Sequence, residues 1–110
     1  MVTIYRYETA TLPLKFTPSG VLNDYEHIIV SIAQNDIQID IHENDLTIDT
    51  ANDTITVNLT QEQTGQFKPA KADIQVNIYY QDTERDVSTC GSIVVLDNLY
   101  KKVINDESTN

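Results

Sequence analysis

Tryptophan is missing from this chain, cysteine occurs once, and glycine and proline occur three times each. Each scarcity removes a class of function. A single cysteine, Cys90, permits no internal disulfide, which suits folding in a reducing cytoplasm and equally a virion protein made there and released later. Three scattered glycines cannot form the glycine-rich turn before a helix that cradles a phosphate. Without tryptophan, the flat rings that build sugar platforms are reduced to six tyrosines and two phenylalanines. No apolar run approaches the roughly 18 residues of a membrane helix. Met1 leads directly into Val-Thr-Ile-Tyr-Arg-Tyr, without the basic and apolar regions of an export signal.

Bases are scarce as well. Seven Lys and Arg face 17 Asp and Glu, a formal net charge of −10 at pH 7. Phosphate neutralisation dominates nucleic-acid binding, and here that term is repulsive. Anionic membrane surfaces are disfavoured for the same reason. No nucleic-acid partner and no membrane partner is therefore expected, while the charge promotes solubility and could steer the chain to a basic partner. A chain of 110 residues is long enough to bury a core without staples. The expected organisation is one β-sandwich domain over residues 1–104 and a flexible tail over 105–110.

What the chain does have is Asn-Asp. The pairs Asn23-Asp24, Asn35-Asp36, Asn44-Asp45 and Asn52-Asp53 divide its first half. Asn and Asp bond their own backbone and tolerate left-handed φ, so these pairs mark turns. Between them, runs such as Ile37-Gln38-Ile39-Asp40-Ile41 alternate apolar and polar. Short strands at roughly 8–12-residue spacing predict an all-β sandwich or barrel.

The individual strands follow from parity. Residues 2–7 form the first strand. Leu12, Leu14 and Phe16 share one face of the second, which Pro13 restricts to an edge. Val21, Leu22 and Tyr25 have the spacing of a short helical turn. Residues 27–33 are apolar on both faces and read as a central strand. Ile37, Ile39 and Ile41 make the next strand, and Leu46 and Ile48 a short one. A hairpin at 50–53 leads to Ile55, Val57 and Leu59. Thr60 and Gln63 form a capping box, so a short helix over residues 61–66 is expected to carry the chain from one sheet to the other. Gly65 lets the chain leave that helix, and Phe67 drops onto the core. Ile74, Val76, Ile78 and Tyr80 point inward from the strongest strand, 72–80. The return strand, 87–97, has an ambiguous parity that predicts a bulge at Cys90-Gly91. Leu99, Tyr100, Val103 and Ile104 follow as a final helix or strand.

Reactive groups are sparse. The acids of the 36–53 stretch (Asp36, Asp40, Glu43, Asp45, Asp49, Asp53) could offer oxygens to calcium, but no Ca-loop pattern is present, and a solvated face is the better reading. His27 and His42 lack the spacing of a zinc or HExxH site. Cys90 has no neighbouring base and reads as a small buried core residue. No catalytic, cofactor or metal site is expected.

The segment Asp53-Thr-Ile-Thr-Val-Asn-Leu-Thr-Gln-Glu-Gln-Thr-Gly-Gln-Phe-Lys-Pro, followed by Ala72-Asp-Ile-Gln-Val-Asn-Ile-Tyr, resembles small β-sandwich proteins among phage and prophage structural genes of Gram-positive hosts. The named family it resembles is the N-terminal domain of the baseplate upper proteins, over residues of about 25 to 100. The family's glycine after the proline is Ala70 here, and its tight hairpin dipeptide is replaced by 81–86. No stalk or receptor-binding tip follows in this sequence. The resemblance implies a virion protein without catalytic residues, with an Ig-like antiparallel β-sandwich fold.

The leading expectation is a phage structural protein, found in the virion, in baseplate, tail, head decoration or fibre attachment. Its partners would be other virion proteins and further copies of itself as a homo-oligomer. Exposed tyrosines on β faces mark protein contacts, so Tyr5, Tyr7, Tyr79, Leu99, Tyr100, Val103 and Ile104 are the expected interface residues. The second reading is a small acidic inhibitor that mimics nucleic acid or binds a basic host protein. A cell-surface adhesin module is a third, weakened by the missing export signal.

Overall fold

A computed structural model describes residues 2–17, 19–81 and 86–99. Two sheets face each other. The first has five strands in the order β1-β8-β7-β3-β4, and the second three in the order β2-β6-β5. In chain order the strands are β1 (Val2–Tyr5), β2 (Ala10–Lys15), β3 (Tyr25–Gln34), β4 (Ile37–His42), β5 (Leu46–Asp49), β6 (Thr54–Leu59), β7 (Lys71–Tyr80) and β8 (Asp86–Leu96). This is the Greek-key order of an immunoglobulin-type sandwich, with the second, fifth and sixth strands opposite the third, seventh and eighth.

Asn-Asp chemistry sets the turns as expected at three of the four pairs. Asp24, Asn35 and Asp53 have φ of 62°, 53° and 53°, the left-handed region these side chains tolerate. The fourth pair differs: Asn44-Asp45 lies in a 3-10 turn, Glu43–Asp45, that carries the chain from β4 to β5. The helical turn expected around Leu22 is also absent. Residues 19–24 form non-helical turns, and Leu22 is nevertheless fully buried.

The core is the inward parity of the strands. Ile28, Val30 and Ile32 on β3, Ile55, Val57 and Leu59 on β6, and Ile74, Val76 and Ile78 on β7 are all buried. Each such side chain contributes roughly 1.5–3 kcal/mol relative to exposure. The helix α1 (Gln61–Gly65) crosses from β6 to β7, so from one sheet to the other. Its capping box is complete: Gln63 N–H donates to Thr60 Oγ1 at 3.1 Å, and Thr60 N–H donates to Gln63 Oε1 at 2.8 Å. Phe67 follows it, fully buried.

Three expectations are corrected. β1 ends at Tyr5 and pairs with β8 in parallel, from Val2 opposite Ile93 to Tyr5 opposite Leu96, so the sandwich is not wholly antiparallel. The reason is the crossing at residues 6–9: β1 must finish at the rim where β2 begins, which is the rim where β8 finishes. The bulge at Cys90-Gly91 is absent. β7 and β8 keep one register from Tyr79 opposite Asp86 to Lys71 opposite Val94. Gly91 takes an inward position without a side chain, so the parity never needs to shift. Cys90 consequently faces outward and is exposed, not a core residue.

Candidate functional site

The expected interface residues fall in different places. Tyr5 stands opposite Leu96, and the two are 45% and 40% exposed. Val2 on the same edge strand is 44% exposed, and Leu99 beyond β8 is fully exposed. Tyr5 and Leu96 thus form an exposed apolar pair where β1 and β8 end, whereas Val2 begins β1 on the opposite parity, opposite Ile93. Tyr79 is exposed too, but it pairs with Asp86 at the other end of β8, roughly 33 Å from Leu96 at about 3.3 Å per residue. Tyr100, Val103 and Ile104, like the expected tail at 105–110, lie outside the described residues.

Tyr7 has a different job. Its φ is 63°, and its ring rests on Gly65 of α1 with the Arg6 guanidinium 5.0 Å from the ring centroid. Arg6 also donates to the Gly65 carbonyl at 3.2 Å and pairs with Asp97 at 3.0 Å. Asn98 Nδ2 donates to Glu8 Oε2 at 2.8 Å. The half-buried Tyr7 is therefore part of a knot joining the β1–β2 crossing, the helix and the end of β8.

The densest titratable group is at the opposite rim. His27 Nδ1 lies 2.7 Å from Glu43 Oε1, and His27 Nε2 lies 3.5 Å from Glu26 Oε1. Glu43 Oε2 also accepts from the Ile28 amide at 3.3 Å. The hydrogen bond to Glu43 raises the His27 pKa above its ordinary value, and the same bond lowers that of Glu43. Glu26 and Glu43, with Asp24, Asn44 and Gln81, line a shallow polar depression. Among the described residues no group of three or more His, Cys, Asp or Glu could hold a metal ion. Asp40 accepts from Ser31 at 2.7 Å and from Gln38 at 2.9 Å, and Asp49 accepts from Asn52 at 2.7 Å. These donors lower both carboxyl pKa values. Asp53 departs from the solvated face expected of the acidic stretch. It is buried, and its carboxylate accepts from the Gly20 amide at 2.8 Å.

A third feature is a cleft of about 470 Å³ between β2 and the inner face of β7 and β8, with Leu14, Phe16, Ile74, Val76 and Gly91 in its lining. It lies where the three-stranded sheet stops short of covering the five-stranded one.

The fold is shared with a phage protein. The N-terminal domain of phage TP901-1 ORF48 superposes with a TM-score of 0.64 at 9% identity, covering 87% of this chain and 84% of that one. The endo-beta-1,4-mannanase from Thermotoga petrophila superposes at 0.57 with 12% identity, covering 88% of this chain but only 18% of the enzyme. No protein-family model and no curated protein matches the chain by sequence. At such identities the likeness is one of fold, and it extends over most of this sandwich and most of the phage domain.

Sequence reasoning missed the cleft and the Tyr7 knot. It also missed Gln34, buried at the end of β3, which donates to the Lys68 carbonyl at 2.8 Å and accepts from the Lys68 amide at 2.6 Å. The one available signal for Gln34 was its inward parity with Ile28, Val30 and Ile32.

Proposed function

We propose that this chain is a non-enzymatic structural module of a phage particle, docking onto other virion subunits in the baseplate or tail, or as a head decoration or fibre attachment. The observation that carries this reading is the whole-domain likeness to the phage ORF48 domain, which takes in most of both chains. The likeness to the mannanase takes in less than a fifth of that enzyme and so weighs less. The exposed pair Tyr5 and Leu96, where β1 and β8 end, with Leu99 just beyond, is the surface we assign to contacts with other subunits, including further copies of the chain.

The acids favour this reading over a nucleic-acid mimic. At one rim Asp97 pairs with Arg6 and Glu8 accepts from Asn98, and at the other Glu26 and Glu43 sit beside His27. A mimic needs its charge in one continuous stripe.

Quantitative mass spectrometry of purified phage particles, from a host carrying the gene, tests the proposal. A fixed ratio to the capsid protein supports it, and the ratio separates a few tail copies from many head copies. Absence from particles despite expression refutes it and moves the assignment to an acidic inhibitor.

A further inference from the structure

β8 is 11 residues long, but β1 pairs only with Ile93 to Leu96. From Asp86 to Ser92, β8 has β7 on one side and, among the described residues, no strand on the other. Hydrogen bonds fix which groups are left over. The Val95 amide donates toward β7, to Ala70 O at 3.0 Å, while Leu96 O accepts from the Arg6 amide on the β1 side at 3.0 Å. Backbone groups alternate along a strand, so the N–H and C=O of Ser88 and Cys90 point along the open edge.

The facing wall is β2. Just past its end, the Phe16 amide donates to the carbonyl of Asp53, the residue before β6, at 2.8 Å. By the same alternation Thr11, Pro13 and Lys15 turn their backbone groups outward. Pro13 has no amide to offer, which blunts this edge. β8 carries no proline, so of the two edges it is the one fit to accept a strand.

Between the two edges lies the cleft of about 470 Å³, with an apolar floor of Phe16, Ile74 and Val76 and a more polar mouth that includes Lys15 and Thr89. Gly91 is on the inward parity of Ile93 and Val95, yet it is exposed: it has no side chain, and among the described residues none lies over it. Among the described residues, an unpaired ladder edge thus borders an open cleft at the margin of the core.

We propose that this slot receives an extended segment of a basic partner protein, which adds to β8 as a strand in line with β1 and places alternate apolar side chains in the cleft over Gly91. A strand is required because the edge of Ser88 and Cys90 offers donors and acceptors that only an extended backbone can match. A partner of opposite charge is favoured over a second copy, because each copy carries a net charge of −10. The inference rests on backbone geometry and goes beyond the virion reading.

The test is a titration of the full-length, isotope-labelled protein with the capped peptide Lys-Val-Thr-Val-Lys-Val-Thr. Saturable amide shifts and exchange protection are expected at Ser88 and Cys90, persisting in about 0.5 M salt, where surface charge attraction is screened. N-methylation of the peptide amides that face β8 is expected to weaken binding by about tenfold or more, since it removes the ladder and keeps the side chains. Gly91→Leu is expected to weaken it similarly by filling the cleft. That variant should fold, because a Cβ at Gly91 meets only Ile74 Cγ2, at an ordinary 3.5 Å. The proposal is overturned by equal binding of the N-methylated peptide or by equal binding to Gly91→Leu. It is also overturned by shifts confined to Glu26 and Glu43, by self-association through this edge, or by no saturable binding.

Discussion

The ring of Tyr7 lies against the α-carbon of Gly65: a Cβ at Gly65 would sit 2.6 Å from Tyr7 Cε1 and 2.7 Å from Cδ1. The glycine of α1 is there to make room for the tyrosine, since its own φ is not in the left-handed region.

Gly65→Ala should therefore destabilise the protein by about 1–3 kcal/mol, the range for overpacking. In a Tyr7→Ala background the same change should cost nothing, and it should gain up to about 1 kcal/mol of helix propensity. Urea denaturation of the double-mutant cycle measures the coupling, and additive losses would rule out the contact.

Gln34→Ala removes the partner of the Lys68 amide and of the Lys68 and Ala70 carbonyls. Leaving buried polar groups unpaired costs about 1–3 kcal/mol. Amide exchange at Lys68 should accelerate more than at core positions such as Val30, whose ladder is untouched.

The His27–Glu43 pair predicts a pH window. His27 has a raised pKa in the folded state, so its contribution is full below its ordinary 6.5 and is lost as pH rises through the folded value. Glu43 has a lowered pKa, so its contribution is present above its ordinary 4.5 and is lost as pH falls through the folded value. The pair should stabilise most between these limits. An NMR titration should place His27 above 6.5, and Glu43→Gln should bring it back toward that value.

Tyr5→Ser with Leu96→Ser should weaken particle assembly while changing folding stability by no more than about 1 kcal/mol, as exposed positions allow. Deleting residues 99–110 should likewise reduce assembly more than folding. Equal losses of both would show that the rim serves the core and not a partner.

The sandwich was legible because its information is local. Parity assigned Ile28, Val30, Ile32, Ile55, Val57, Ile74, Val76 and Ile78 to the core, and all are buried. Side chains on a strand alternate whatever the strand pairs with. The left-handed φ of Asp24, Asn35 and Asp53 and the Thr60–Gln63 capping box are likewise settled within a few residues. The interface residues were not legible in the same way: Tyr5 is an exposed rim residue and Tyr7 a structural wedge, although both are tyrosines on one short segment.

Contacts between segments far apart in sequence were decided only by the tertiary structure. The parallel pairing of β1 with β8, the outward position of Cys90, the burial of Asp53 against Gly20 and the open edge beside Gly91 each depend on which strand ends where. Alternation and turn chemistry say which residues face a core. They do not say which elements meet across it, because that is fixed by how two sheets of unequal width, five strands against three, close over one another.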